Sequence, residues 1–392
     1  MNTSQRRITC AYCGNPPDPV RGEIAFPMDE GNPMNTRKVC RGCYEQLHRV
    51  CACGCGQRGS VNRMQYLLMG GQPEGYPQHR LIIEACAHKY QHCSNCGYLF
   101  EPAAASAAPA TDPYANLPFI EGIDMPRQIL RLCHRCTRTP QPLVRSASAK
   151  PNLEPIGRGP KLGTDTAFYM GIELECEVVG GAGYDAISQA VWTQVGRFAI
   201  MKGDGSLSHG FEICSSPASL PAHRKLWKGF FENLPKGLKS RSRSRCGMHV
   251  HISKRAMTQM QMVRIALFIN HPANRAFVEG IAERRANGYW GFVSLDPHRP
   301  QAGFHTQKYA AFNTGPPKTC ELRMFAGTLN PKKFFKNLEF CQAVAEFEQP
   351  CRLSITQAVN KDLFIKFVSE NRRSYPELHQ FIGRRLIAAG SI

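Results

Sequence analysis

The chain has 392 residues, 42% of them hydrophobic, and 49 basic against 30 acidic side chains give a net charge of +19. That length accommodates two or three domains, and no apolar run reaches the roughly 18 to 20 residues of a membrane span. The charge favours anionic partners (nucleotides, nucleic acid or acidic peptides) without choosing among them, and the opening MNTSQRRITCAYCG lacks the apolar core of a signal peptide, so a cytoplasmic protein with no membrane contact is expected.

Residues 1–136 are rich in Cys, Gly and Pro, with short strands and weak periodicity. Twelve of the 18 cysteines fall before residue 137. Ten of them come in close pairs, Cys10/Cys13, Cys40/Cys43, Cys53/Cys55, Cys93/Cys96 and Cys133/Cys136, and Cys51 and Cys86 complete the twelve. C-x-x-C offers two ligands from one tight turn, and Zn²⁺ takes four Cys or His ligands in a tetrahedron. Without a signal peptide, such pairs read as zinc ligands in a reducing compartment and not as a secreted disulfide scaffold. Cys10 and Cys13 with Cys40 and Cys43 supply one ribbon-like site, and Cys93 and Cys96 with Cys133 and Cys136 a second. Cys53 and Cys55 with Cys86 and His88 supply a third. The pairing stays open, because ribbons and cross-braced modules use the same ligands. The region is read either as a zinc-stapled scaffold for partner docking or as a nucleic-acid binder. Sparse aromatic residues among its basic ones disfavour single-strand stacking.

EPAAASAAPATDP (101–113) interrupts the cysteine region, and residues 137–165 read as a flexible linker. From 166 to 350 alternating strand patterns are separated by helical stretches. Strands are expected at 168–179, 199–207, 210–217, 246–253, 308–314 and 320–325. Helices are expected at 183–198, 220–233, 256–283 and 331–348, and the extension 351–392 is expected to be helical over 361–388. This is an α+β pattern with a mainly antiparallel sheet and helices on one face. No internal repeat and no G-x-x-x-x-G-K-[ST] phosphate loop is present.

Side-chain parity carries the chemical signal, since successive residues of a strand point to opposite faces. In MGIELECEVV (170–179), Glu173, Glu175 and Glu177 share one face, and Ile172, Leu174, Cys176 and Val178 the other. In GMHVHIS, His249 and His251 share a face. In CELRMF, Glu321 and Arg323 do, opposite Cys320, Leu322 and Met324. Asp204 ends one strand and Glu212 lies on the next. Each pattern alone is the ordinary wet side of a half-exposed sheet. Together they gather acids, histidines and an arginine on one face. Uncompensated carboxylates so placed repel one another and are costly to bury. Oxygen-rich sets with an imidazole suit Mg²⁺ or Mn²⁺, commonly shared with the phosphates of a nucleotide.

The ordered set GIELE, DGSL…FEICSSP, CGMHVHIS, KYAAFN and CELRMFAGTLN resembles the amidoligase family of carboxylate–amine ligases with the glutamine synthetase-like fold. The likeness covers residues 166–350, about half of the chain. It implies an ATP- and Mg²⁺-dependent ligase that activates a carboxylate as an acyl phosphate and passes it to an amine. By the same likeness, Glu173, Glu175, Glu212, His249 and Glu321 are metal-binding and catalytic, and Arg323 contacts phosphate. Asp204 sits where another acid is expected, and His251 stands behind the metal ligands. Arg285, Lys308 and Asn313 are candidates for holding a phosphate or the substrate carboxylate, against a reading of Arg285 and Lys308 as solvated surface charges. The basic run KGLKSRSRSR (236–245) is either a flap over the site or an exposed loop. Cys176 and Cys214 read as small core or wall residues.

Two other functions compete with the ligase. One is a zinc-dependent nucleic-acid-binding protein with a non-catalytic ligase-like domain, which would have no need to keep repelling carboxylates together. The other is a metal-dependent hydrolase using the H-x-H strand, which would need a metal-bound water in an open position.

Overall fold

The computed structural model describes residues 143–149, 154–181, 183–240, 246–295, 309–349 and 355–388, together with short strands and turns before residue 124. The chain forms two compact units, Met1–Ala108 with Arg131–Pro140, and Pro109–Leu130 with Gln141–Ile392.

The strands of the first unit are short. β1 (Glu23–Pro27) pairs with β2 (Thr36–Cys40), and β3 (His48–Val50) with β4 (Arg58–Ser60). β5 (Gln65–Leu68), β6 (His79–Ile82), β7 (Gln91–His92) and β8 (Leu99–Phe100) form a four-stranded sheet in the order β6-β5-β8-β7. A 3₁₀ turn, Glu84–Lys89, carries Cys86 and His88.

The second unit is built on one sheet. Its strands are β9 (Val144–Arg145), β10 (Met170–Val178), β11 (Ala199–Lys202), β12 (Gly210–Ser215), β13 (Leu238–Lys239), β14 (Gly247–Ser253), β15 (Phe312–Asn313) and β16 (Thr319–Ala326). The order is β15-β16-β14-β10-β12-β11-β9, with β13 pairing β10. Only β9 with β11 is parallel; the other pairs are antiparallel. The expected α+β class with a mainly antiparallel sheet is therefore what the chain adopts.

The described helices are α1 (Tyr184–Val195), α2 (Leu220–Leu226), α3 (Lys228–Glu232), α4 (Gln259–Asn270), α5 (Arg275–Ala282), α6 (Pro331–Phe347), α7 (Ile355–Ala358), α8 (Lys361–Glu370) and α9 (Pro376–Ala388). Caps fix several starts. Thr258 and Gln261 form a capping box on α4, and the Asn330 and Asn360 side chains accept N–H groups of α6 and α8. None of the described helices is long and apolar enough to cross a membrane.

The parity reading of β10 holds. Ile172, Leu174, Cys176 and Val178 all enter one hydrophobic core, with Met248, Val250 and Ile252 of β14 and Cys320, Leu322 and Met324 of β16. Helical residues such as Val191, Phe268, Phe334 and Phe340 complete that core.

Several boundaries differ from expectation. The single helix expected over 256–283 is α4 and α5. His271 is extended (φ −60, ψ 130) because Pro272 disfavours helical backbone before it and offers no N–H. The helix over 220–233 divides at Trp227. The strand over 199–207 stops at Lys202, where Asp204 turns the chain by accepting the Ser206 N–H at 2.7 Å.

Much of the segment read as a flexible linker, 137–165, has a fixed place. Val144 and Arg145 pair with β11, Ile156 exchanges backbone hydrogen bonds with Pro217 and Ser219, and Ile156 and Leu162 are buried in the core. Its Pro, Gly and Ser content hid a few apolar anchors and one edge pairing. The C-terminal segment is likewise part of the same core, through Phe364, Val368, Tyr375, Leu378 and Ile382. Glu339 of α6 ties it down, accepting the Leu378 N–H at 2.7 Å while pairing with Arg224.

Leu322 is fully buried among these residues. Leu322→Ala is expected to cost roughly 2 to 5 kcal/mol through the cavity it leaves, read as a lower melting temperature. Melting equal to the parent protein would place Leu322 on the wrong face of β16.

Candidate functional site

Strand register brings the polar residues into rows across one face of the sheet. Glu173 of β10 lies between Cys214 of β12 and His249 of β14. One step along, Glu175 lies opposite Glu212, which lies opposite Lys202 of β11. In the other direction, His251 lies between Gly171 and Glu321, and Asn313 of β15 is opposite Glu321. Eight of the sequence-derived site residues, Glu173, Glu175, Glu212, His249, His251, Glu321, Arg323 and Asn313, are thus gathered.

What faces each glutamate is now explicit. Glu173 is met by His249 Nδ1 and His251 Nε2, each at 3.4 Å. Glu175 accepts the Gly247 N–H and lies 3.8 Å from His249 Nε2. Glu212 pairs with Lys202 at 2.8 Å. Glu321 accepts from Arg323 and, at 3.0 Å, from the Asn313 amide, with His249 at 3.7 Å and His251 at 3.9 Å. Glu177 is farther along β10, opposite Lys239.

The acids do not respond alike to this setting. Burial pushes the Glu173 carboxyl up, but hydrogen bonds and charge from His249 and His251 outweigh it and hold it well below the usual carboxylate range. For His251, burial works against the cation, and Glu173 more than offsets this, so its pKa is raised. Burial raises the Glu175 carboxyl, with His249 and the Gly247 N–H offsetting only part of the effect and Asp204 adding to it. Burial and then the Glu173 charge raise Glu212 against the pull of Lys202.

Two donor groups are close enough to share a cation, with their ligand atoms within 4.8 Å of one another: Glu173, His251 and Glu321, and Glu173, Glu212 and Cys214. The first fits a hard divalent ion better. Glu212 is already neutralised by Lys202, and burial followed by the Glu212 and Glu173 charges raises the Cys214 thiol well above its ordinary pKa, leaving it protonated. His251 thus belongs to the compact group, whereas the sequence reading put it behind the ligands. His249 stands among three carboxylates.

Lys202 escaped the sequence reading, Arg284 was passed over in favour of its neighbour, and Cys214 was read only as a small core or wall residue. Lys202 has the parity of Ile200 and faces Glu212, which the pairing of β11 with β12 decides. Arg284 reaches the cluster, where its charge acts on Glu175, while Arg285, the residue favoured from sequence, is exposed. Cys214 lies on the site face beside Glu173, as its spacing of two from Glu212 signals. At Gly247 a Cβ would come within 2.9 Å of Arg284 Nη1 and 3.2 Å of His249 Nε2, so glycine leaves room for both. Asp204 sits in the turn after β11, close enough to act on Glu175 and Glu212. Lys308 and residues 241–245 of the basic run lie outside the described residues.

Of the cysteines read as zinc ligands, the structure brings Cys55 and Cys86 together, their sulfurs 3.6 Å apart. Cys93 is buried, His88 is exposed, and Cys40 ends β2. Cys10, Cys13, Cys43, Cys53, Cys96, Cys133 and Cys136 lie outside the described residues.

Compared with protein-family models and with curated proteins, the chain matches none.

The raised Glu175 pKa has a testable sign. The folded state holds this proton more tightly than the unfolded chain, so stability falls as pH rises from the ordinary carboxylate value of 4.5 through the raised one. Glu175→Gln removes that loss. In chelator-treated protein, the variant's melting temperature is expected to gain on the parent's as pH climbs from about 4.5 to 8. A difference independent of pH would show that Glu175 is not strained by its charge.

Proposed function

We propose that the chain is an ATP- and Mg²⁺-dependent carboxylate–amine ligase of the amidoligase type. The supporting observation is the convergence of Glu173, Glu175, Glu212 and Glu321 from three strands with two histidines from a fourth and an arginine on one sheet face. Glu173, Glu321 and His251 are the proposed Mg²⁺ (or Mn²⁺) ligands; the ion, when bound, neutralises phosphate oxygens.

In the proposed reaction, a carboxylate oxygen of the acid attacks the γ-phosphorus of ATP. The bond to the bridging oxygen breaks and ADP leaves with that electron pair. The amine nitrogen then attacks the acyl carbon, phosphate departs, and the nitrogen gives up a proton. No protein nucleophile is needed, in keeping with Cys214, the cysteine on this face, whose thiol burial keeps protonated. Arg323 is the proposed phosphate contact. Its guanidinium holds Glu321 through Nη1, while its buried Nε has no hydrogen-bond partner among the described residues. A buried donor left open in this way favours an incoming anion. Asn313 positions Glu321, and Arg284 is the proposed second anion-binding residue in place of Arg285.

Zinc is proposed for the first unit. Two thiolates on a tetrahedral Zn²⁺, with bonds of about 2.3 Å, sit about 3.8 Å apart, and the Cys55–Cys86 separation of 3.6 Å fits this.

Two measurements test these readings. Arg323→Lys keeps the charge and loses the planar fork; it is expected to lower Mg²⁺-dependent ATP turnover roughly 100-fold with a much smaller change in nucleotide affinity. Normal turnover in this variant would remove Arg323 from the chemistry. For zinc, elemental analysis of the Cys55→Ser/Cys86→Ser double variant should show one ion fewer per chain than the parent, and an unchanged zinc content would sink the assignment.

A further inference from the structure

Beside Glu173 the site face is not polar throughout. Ala149, Ile200 and Cys214 form a small buried apolar cluster separate from the main core. Ile200, Cys214 and Glu173 lie in one row across β11, β12 and β10. The cluster therefore faces the site and not the helices, on a surface otherwise occupied by charge. It borders a pocket of about 280 Å³ that also reaches Tyr169, Gly171, Pro217 and Thr319, with Glu173, Lys202 and His251 at its charged side.

Gly171 has the parity of Glu173 and Glu175, two residues before the first of them. Its backbone does not require glycine. A Cβ built there meets only ordinary contacts, 3.8 Å to the Ser215 carbonyl oxygen and 3.9 Å to His251 Cβ, and its φ is not in the left-handed region. A side chain at this position would be tolerated by the fold and would fill the pocket.

We propose that this pocket holds the acid substrate of the ligase, and that the acid is a small carboxylic acid with a short uncharged chain; the inference rests on the ligase reading above. The carboxylate would lie toward Lys202 and the divalent ion proposed on Glu173, His251 and Glu321, and the chain against Ile200 and Ala149. The volume is just below the usual range of about 300 to 1,000 Å³ for ligand sites, which favours a small molecule over a peptide. A second carboxylate on the acid would lie among Ala149, Ile200, Cys214 and Pro217, where the pocket lining carries no cation. Gly171 and Ile200 are then the specificity-determining residues.

The test uses full-length protein, Mg²⁺ and a non-hydrolysable ATP analogue. Thermal shift and calorimetry are read with straight-chain acids from acetate to hexanoate, their 2-amino counterparts, succinate and glutarate. At least one short monocarboxylate or neutral amino acid is expected to bind the nucleotide-loaded protein. Gly171→Ala and, more strongly, Gly171→Val should weaken that binding roughly 10- to 200-fold, with melting and analogue affinity unchanged. Ile200→Ala should move the preference toward longer chains. If the analogue binds normally but the Gly171 variants take up every acid as the parent does, or the dicarboxylates bind best, the pocket assignment fails and the ligase reading survives. Analogue binding with no acid bound by the parent protein also overturns the pocket assignment. Failure of the analogue itself to bind with Mg²⁺ overturns the ligase reading, and this inference with it.

Discussion

The structure turns on the compensation of buried like charges across one register. Glu173 is placed by β-pairing between His249 and Cys214, with His251 one step away. A slip of β10 by a single residue would send its side chains to the opposite face. It would put Glu173, Glu175 and Glu177 into an apolar core, at a cost far beyond ordinary domain stability. The same alternation that fills the core with Leu174, Val250 and Leu322 therefore also fixes the site. Core packing enforces the register, and the register holds the acids where their partners are.

Those partners do not bring the cluster to neutrality. Glu173, Glu175, Glu212, Glu321 and Asp204 are five carboxylates, and Lys202, Arg323 and Arg284 are three permanent cations acting on them. With neutral histidines, two negative charges remain, the charge of one divalent ion. Burial is the main cause of the raised pKa values of Glu175 and Glu212, and the neighbouring charges of Asp204 and Glu173 add to it, while Glu173 raises His251 against burial. A divalent cation at Glu173, His251 and Glu321 would relieve the charge imbalance by Coulomb attraction, and the half-dry setting makes that attraction stronger than it would be in water.

Much of this was legible in the sequence, because parity within a strand depends on nothing but counting. The glutamates of GIELE, the histidines of GMHVH and the E-x-R pair all face as their spacing requires. Contacts set by neighbouring strands and loops were not legible. Lys202 gains its role from pairing with β12, and Arg284 rather than Arg285 turns inward from the chain after α5. The segment 137–165 looked mobile by composition, yet Ile156 and Leu162 anchor it. The helices after residue 355 looked like an appendage, yet they close the core. In both cases a few apolar residues in a polar stretch decide the outcome, and no local average detects them.

The limit of parity is clearest at Phe325. Strict alternation along CELRMF puts Glu321, Arg323 and Phe325 on one face. In the structure Phe325 is fully buried in the core beside Met324, its ring centroid 6.1 Å from that of Phe340 in α6. The cause is a β-bulge. Met248 pairs with Phe325 and Val250 with Leu322, so His249 alone opposes Arg323 and Met324. The extra residue lets β16 present Glu321 and Arg323 to the site, return two consecutive apolar side chains to the core, and bring Ala326 opposite Gly247. A bulge bends its strand and re-aims the side chains at it. His249 is met by the three carboxylates and Arg323 by Glu321. The polar face owes its spacing to this one break in the rule that made it readable.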